Sequence, residues 1–276
     1  MFDTHCHLNF SRFKKNVEEV IAKAHEVGVS HIVIPGTDVE TSKKAIEIAS
    51  AHDNLFAAVG VHPHHVYELK LEEKVLDIDQ IISELETMTA HPKVMAIGEV
   101  GMDRHIYENT KYEEYNVDEK FIDLQGQLLK HQIQLAKKSK KSLILHNREA
   151  KADLLPIVES EWSSDLEGRA VFHCCEPDEE LLKFAQDHRM FIGVDGDITY
   201  YPEKQEFIKK VPLEMLVLET DSPFLLPEPL RTQKLFPNKP EHIPMISQFI
   251  ADLRGESVDK LREATTQNAK NLFQIA

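Results

Sequence analysis

The first seven residues, Met1-Phe2-Asp3-Thr4-His5-Cys6-His7, decide how this chain of 276 residues is read. A strand over residues 2–5 ends on His5. His7 then falls on the same side, because side chains of an extended chain alternate with a period of two. Two imidazoles on one side make half of a divalent-metal site. Four more candidate ligands close later apolar runs: Glu99, His146, His173 and Asp221.

Working outward, eight short apolar runs can be traced, at residues 2–5, 31–35, 55–61, 94–99, 142–146, 170–173, 190–194 and 216–220. Most are continuous rather than alternating, as expected of strands buried on both faces of a parallel sheet. Helical spacing fills most of the gaps. Val17, Val20, Ile21, Ala24 and Val27 form one stripe, and Ala45, Ile46, Ile48 and Ala49 another, behind the cap candidate Asp38. Further helices are expected over 76–90, 118–140, 150–160, 177–188, 203–210, 243–253 and 256–273. Eight strands alternating with helices predict an α/β fold, a (β/α)8 TIM barrel forming a single domain over residues 1–276. An open doubly wound sheet is the alternative, but its Gly-rich turn after the first strand is absent. Long loops at 103–117 and 222–240 fall on the face where barrel enzymes place their substrates.

Composition narrows the class. The chain is 42% hydrophobic and 29% charged, which is the balance of a globular protein. No apolar stretch approaches the roughly 20 residues of a membrane helix, and no signal peptide is visible. Cys6, Cys174 and Cys175 make neither an even framework nor a C-x-x-C pair, so a reducing, cytoplasmic setting is expected. These cysteines read as packing residues. A net charge of -15 argues against a broad basic surface for duplex nucleic acid. It leaves a nucleic-acid substrate open, because a cleft needs only local positive charge. The run Lys137-Lys138-Ser139-Lys140-Lys141 reads as the solvated C-terminus of a helix. No obligate protein partner is evident.

In a barrel, residues at strand C-termini converge on one mouth. That mouth would gather His5, His7, His62, Glu99, His146, His173 and Asp221. So many imidazoles and carboxylates cannot share a small space near neutral pH without cations to compensate them. Mixed His and carboxylate ligation suits Zn2+, Mn2+, Fe2+ or Co2+ better than an all-oxygen Ca2+ site. Six ligand groups fit two metals better than one, with Glu99 able to bridge. Two ions ~4 Å apart can clamp both oxygens of a phosphoryl displacement. Asp221 could also take or direct the proton of the attacking water.

At these positions the sequence resembles the TatD family of metal-dependent deoxyribonucleases. The matching pieces are Asp3-Thr4-His5-Cys6-His7-Leu8-Asn9, Gly60-Val61-His62-Pro63-His64, Ile97-Gly98-Glu99-Val100-Gly101-Met102-Asp103, Leu145-His146-Asn147-Arg148-Glu149-Ala150, Phe172-His173-Cys174 and Glu219-Thr220-Asp221-Ser222-Pro223. Related amidohydrolases such as phosphotriesterase-like enzymes typically place a carbamylated lysine where Glu99 stands. The resemblance implies a TIM barrel with two divalent cations (Mg2+, Mn2+ or Zn2+). It assigns His5, His7, Glu99 and Asp221 to the first, and Glu99, His146 and His173 to the second. It also implies hydrolysis of DNA, often exonucleolytic and tolerant of single strands, by metal-bound hydroxide attacking phosphorus, with Asp221 and Glu99 as catalytic groups.

Supporting residues follow. Arg148, two residues past His146, would point the same way and hold a phosphate by a bidentate fork, or else form a salt bridge across the mouth. His62 matches a family position near the phosphate, a supporting role being equally open. Asp103 and Glu219 are candidates to brace ligand histidines from behind. His64 and His65 read as surface residues. Tyr107, Tyr112 and Tyr115 read first as loop packing, with base stacking as the other option.

The sequence also departs from the family. Many relatives continue the sixth-strand histidine as Cys-Phe-Ser-Gly, whereas here Cys174-Cys175-Glu176-Pro177 follows. The loop after Asp103 is longer than usual and lacks the common Tyr-Tyr. Residues 231–240 match the family's Arg-Gly-x-x-Asn-Glu-Pro only at Asn238 and Pro240. These changes touch substrate selection, not the metal ligands. Three readings therefore stand: a two-metal nuclease; a metal hydrolase of an amide, ester or small phosphoester, including acyl-tRNA deacylation; and a non-catalytic metal-binding or partner-binding protein.

Overall fold

The computed structural model describes residues 1–71 and 78–275. Its strands are β1 (Phe2–Asp3), β2 (His31–Pro35), β3 (Leu55–Val59), β4 (Val94–Asp103), β5 (Ser142–Arg148), β6 (Ala170–Phe172), β7 (Phe191–Val194) and β8 (Leu216–Leu218). The helices are α1 (Val17–Glu26), α2 (Val39–Ser50), α3 (Tyr67–Leu71), α4 (Ile78–Thr89), α5 (Glu119–Ser139), α6 (Lys151–Glu161), α7 (Glu179–Asp187), α8 (Pro202–Lys210), α9 (Ile243–Arg254) and α10 (Val258–Phe273). The strands pair in chain order, every pair parallel. Past their ends β8 and β1 also meet. Thr4 N donates to Leu218 O at 3.0 Å, Asp221 N to His5 O at 2.9 Å and His7 N to Ser222 O at 2.8 Å. The architecture is the expected (β/α)8 barrel.

Each strand sends one residue into a shared interior layer: Phe2, Val33, Ala58, Ala96, Ile144, Val171, Phe191 and Val217. Leu272 and Phe273 of α10 belong to the same cluster and plug the end away from the site. The larger cluster, with Ile32, Ile97, Leu143, Leu216 and the apolar stripes of the helices, joins the outer faces of the strands to the helical ring. Both faces of every strand are thus buried, which is why the apolar runs are continuous. α2 starts as the sequence suggests: Asp38 Oδ1 accepts from Thr41 N at 2.7 Å, and Thr41 Oγ1 accepts from Asp38 N at 2.9 Å. Such a reciprocal cap is worth about 1 kcal/mol. The lysine run closes α5, with Lys140 in the left-handed region.

Several boundaries differ from expectation, and two of the differences matter for the site. β1 ends at Asp3, not His5. Phe2 lies in the barrel interior and Thr4 Oγ1 donates inward to Glu219 Oε2 at 3.2 Å. Strict alternation would therefore send His5 outward; leaving strand geometry at Thr4 turns it inward. β4 runs on to Asp103, and its register slips between Ile97 and Val100. Gly98 faces Ile144 of the interior layer, yet Glu99 faces inward as well. Elsewhere, Val27 falls just past α1 and is exposed. Residues 76 and 77 of the helix expected over 76–90 lie outside the described residues. Among the described residues, no helix is long and apolar enough to cross a membrane.

Candidate active site

Beyond the interior layer, plain alternation lifts polar residues to the mouth of the barrel. On β5, Ile144 is followed by His146 and Arg148; Val171 of β6 is followed by His173 just past the strand, and Val217 of β8 by Glu219 and Asp221 past its end. These residues line a cavity of about 660 Å³ together with His7, His62, Glu99, Asn147, Glu176 and Lys204, Glu219 excepted, which lies beneath it.

Glu99 is the centre. Its Oε2 lies 3.3 Å from His5 Nε2 and 3.5 Å from His7 Nε2. Asp221 Oδ1 adds contacts of 3.8 Å to His5 and 3.4 Å to His7, and the two Nε2 atoms are 3.2 Å apart. The Oε1 atom of Glu99 faces the other way, 2.8 Å from His146 Nδ1, 3.5 Å from His62 Nε2 and 3.6 Å from His173 Nε2. The two oxygens of one carboxylate therefore serve two groups of imidazoles.

The first group can be tested for fit to an ion. A tetrahedral site with bonds of about 2.0–2.2 Å has ligand–ligand edges of about 3.3–3.6 Å. The measured edges, 3.2 to 3.8 Å, bracket that range. Among the described residues, Nδ1 of both His5 and His7 has no hydrogen-bond partner. Both rings thus aim their one engaged nitrogen at the same point. The second group is tighter at one contact, His146 to Glu99 at 2.8 Å, and its others, 3.5 and 3.6 Å, fall within the same range.

The supporting residues lie behind this centre. His173 Nδ1 is 2.9 Å from Glu219 Oε1, which also accepts from Cys174 N at 2.5 Å. Gly193 makes room for that carboxylate: a Cβ there would meet Glu219 Oε1 at 2.5 Å. His146 Nε2 lies 3.3 Å from Asp103 Oδ2, which also accepts from Tyr107 OH at 2.7 Å. Asp221 holds a left-handed backbone, φ 48°. Aspartate tolerates that conformation better than most residues.

The electrostatics agree. Burial alone would lower the imidazole values. The touching carboxylates outweigh it, carrying His7 up to about 9 through Asp221 and Glu99, and His146 to about 9 through Asp103 and Glu99. Glu219 does the same for His173, to about 10. His62 goes the other way, down to about 4, because burial combines with the repulsion of His146. Burial opposes ionisation of Glu99 and Asp221 too, but the surrounding imidazoles hold both below the usual carboxylate range. The site thus holds its ligand-type groups together by sharing protons. A divalent cation would replace those protons, as metal binding to such groups releases them.

Among the described residues Arg148 makes no ion pair with a carboxylate across the mouth, and it reaches the cavity. Its Nη1 donates to Tyr107 OH at 3.2 Å and its guanidinium lies 5.0 Å from the Tyr107 ring centre. His62 sits directly against Glu99, in the mouth where the sequence gathers it. Three further placements differ from the sequence reading. His64 is not a plain surface residue: its ring packs at 4.8 Å from both Tyr107 and Tyr115 and 5.2 Å from Tyr112. His65 is likewise half-buried and borders the cavity. Tyr112 and Tyr115 pack the loop, as read. Cys174 also does more than pack, since Lys204 Nζ lies 3.7 Å from its Sγ.

The sequence reading missed a second buried cluster in the cavity wall. Lys204 of α8 lies 2.6 Å from Asp197 Oδ1 and 3.5 Å from Asp195 Oδ2. Asp195 stands immediately after β7, so the strand-end signal used for the other residues applied here too. Lys204 is nine positions further along a different element and gave no such signal.

The profile of the TatD related DNase family matches residues 2–274. The chain belongs to the TatD family of metal-dependent hydrolases. A Bacillus subtilis protein named as the uncharacterized metal-dependent hydrolase YabD is 31% identical, over 100% of this chain and 99% of its own. The 3'-5' ssDNA/RNA exonuclease TatD of Escherichia coli K12 is 31% identical over 100% of both. Among solved structures, the TatD homolog YJJV of E. coli K12 superposes with a TM-score of 0.84 at 28% identity, covering 100% of this chain and 98% of that one.

Proposed function

We propose that the protein is a two-metal phosphodiesterase acting on single-stranded nucleic acid, DNA in the first instance, from an end. The observation that carries this is Glu99, whose two oxygens face two adjoining imidazole groups. His5, His7, Glu99 and Asp221 would hold one ion, and Glu99, His146 and His173 the other. His62 is as close to Glu99 Oε1 as His173 is. The ions are divalent, with Mg2+, Mn2+ and Zn2+ the candidates; bound, they supply charge for the phosphoryl oxygens and lower the pKa of water. Asp221 is in place to accept the proton of the attacking water, its carboxylate being held ionised by His7 and His173. Glu219 and Asp103 fix the ring orientations of His173 and His146. Arg148, which makes no ion pair among the described residues, offers its fork to a non-bridging phosphate oxygen. We take residues 1–276 as one hydrolase barrel, working in a reducing, cytoplasmic setting that suits its three free cysteines.

The second reading, a smaller ester or amide substrate, draws on the altered turn after β6. There Glu176 accepts from Asn147 Nδ2 and from Glu149 N, and places an acid in the cavity wall. One experiment separates the readings. Chelator-stripped protein is incubated with labelled single-stranded DNA or RNA, with and without Mg2+, Mn2+ or Zn2+, beside the Asp221→Asn variant. Metal-dependent cleavage absent from the variant is expected. No cleavage of either polymer, with metal still bound, would shift the assignment to the smaller substrate.

A further inference from the structure

A second cavity, of about 790 Å³, opens directly beside the first. The two share Phe10, Thr37, His65 and Phe224 as a common wall. Its floor and rim come from the loop after β1, the first half of α2 and the loop after β8. Two features set it apart from the rest of this acidic chain.

The first is exposed aromatic surface. Phe224 and Phe236 are 47% and 51% exposed, an arrangement that costs free energy unless something covers it. Phe10 stacks on the ring of His7 at 4.3 Å and meets Phe224 edge-on at 6.2 Å. A row of aromatic faces thus leads from a metal-site histidine outward. The second is local positive charge. Arg12, Lys43 and Lys44 line the groove, against Glu40 and Glu47. Lys43 is partly neutralised by Glu40 and Glu84. Among the described residues Arg12 and Lys44 make no ion pair, and the Arg12 guanidinium lies 4.8 Å from the Phe236 ring centre.

We propose that this groove is a track for single-stranded nucleic acid, holding the nucleotides next to the one being cleaved. Bases stack on Phe236 and Phe224, and Arg12 and Lys44 pair with the backbone phosphates. Stacking platforms flanked by cations are the general solution for strands bound without sequence preference. The polymer is favoured over a protein partner by continuity: the groove ends in the cavity where the phosphodiester is cleaved, and its charge matches phosphate. The proposal rests on the phosphodiesterase reading for its direction, and its test is arranged to fail separately.

The test compares a thymidine dinucleotide with a thymidine dodecamer, for the wild type, Phe236→Ala, and the double variant Arg12→Glu, Lys44→Glu. Dodecamer affinity is read by fluorescence anisotropy in chelator, where nothing is cut, and kcat/KM for both substrates with metal. Loss of one stacked base lowers dodecamer affinity, and the dodecamer-to-dinucleotide ratio of kcat/KM, by about 5- to 150-fold. The charge reversal also flattens the salt dependence, by about 0.7 in slope for each phosphate left unpaired. Unchanged affinity and ratio in both variants would overturn the proposal while leaving the phosphodiesterase standing. Dodecamer binding that the variants lose, with neither substrate cut by the wild type, would uphold the track and sink the phosphodiesterase. A wild type that ignores the dodecamer but self-associates through Phe236 would assign the face to a second copy, against the proposal.

Discussion

Two buried charge clusters stand side by side in the mouth of this barrel, and they solve the same problem differently. Around Glu99, carboxylates and imidazoles converge, and among the described residues no lysine or arginine pairs with them. Around Lys204, two aspartates and a thiol surround an ammonium the chain itself supplies. Burial pushes the Asp197 carboxyl up, with Asp195 beside it adding to the shift. Lys204 stays well above its usual range because the two aspartates outweigh its burial. That cluster holds one ammonium against two carboxyls of which one resists ionisation, so it is close to balanced. The Glu99 cluster reaches balance only by taking protons or ions from solution. A buried site that needs an external cation is a site for chemistry; one that brings its own is part of the wall.

The largest effect expected from this contrast is on turnover. Asp221→Asn should lower metal-dependent kcat by 10²–10⁴-fold, on the order of general-base removal, with an unchanged far-ultraviolet circular dichroism spectrum. A loss smaller than tenfold would remove Asp221 from the chemistry. Lys204→Met should act on stability instead. Removing one partner of a buried ion pair costs about 3–5 kcal/mol, measured by urea unfolding. The sign with pH is also set. Asp197 is carried up to about 8 by burial, and the variant loses the ammonium that pulls it down, so the folded state binds a proton that the unfolded carboxyl releases and the variant should lose stability as pH rises from about 4. Flat stability across that rise would show that Asp197 is not desolvated there.

How much of this is legible in the sequence depends on where alternation survives. From Ile144, Val171 and Val217 the period of two leads directly to His146, His173 and Asp221. It fails at β1 and β4. His5 and His7 face the centre because the chain leaves strand geometry at Thr4, and Glu99 because the register slips after Ile97. There the chemistry of the residue types, not their spacing, points to the site. Lys204 cannot be read at all, since its partners are spatial neighbours on another element. His64 escapes for the same reason: a histidine between Pro63 and His65 looks exposed until residues 107–115 fold over it.

Metal addition sharpens the comparison further. A divalent ion at 100 times its Kd should stabilise the wild type by about 2.7 kcal/mol, read as a rise in Tm over the chelated protein. Lys204→Met should keep that increment, although its baseline is lower, because the ion that stabilises the wild type binds at the Glu99 cluster, the Lys204 ammonium already standing among Cys174, Asp195 and Asp197. His5→Ala should lose most of it. An increment lost in Lys204→Met and kept in His5→Ala would reverse the assignment of the two clusters.

The smallest difference is also the most specific. Glu219 touches no proposed ion, yet its carboxylate fixes His173 from behind. Such partners are worth 10- to 100-fold in metal affinity, or about 1.4–2.7 kcal/mol. Glu219→Gln keeps the size of the side chain, the oxygen that accepts from Cys174 N, and the space that Gly193 provides. It removes the negative charge facing His173 Nδ1 and turns the oxygen that accepts from Thr4 Oγ1 into an amide donor, Thr4 keeping Leu218 O as its acceptor. Asp197→Asn is the matching change in the balanced cluster, neutralising a carboxyl that burial already resists ionising. Titration calorimetry should show weaker metal binding in Glu219→Gln and less than a threefold change in Asp197→Asn. Equal effects in both would mean that the general negative charge of the mouth attracts the ion; unequal effects assign that affinity to the carboxylate behind the histidine.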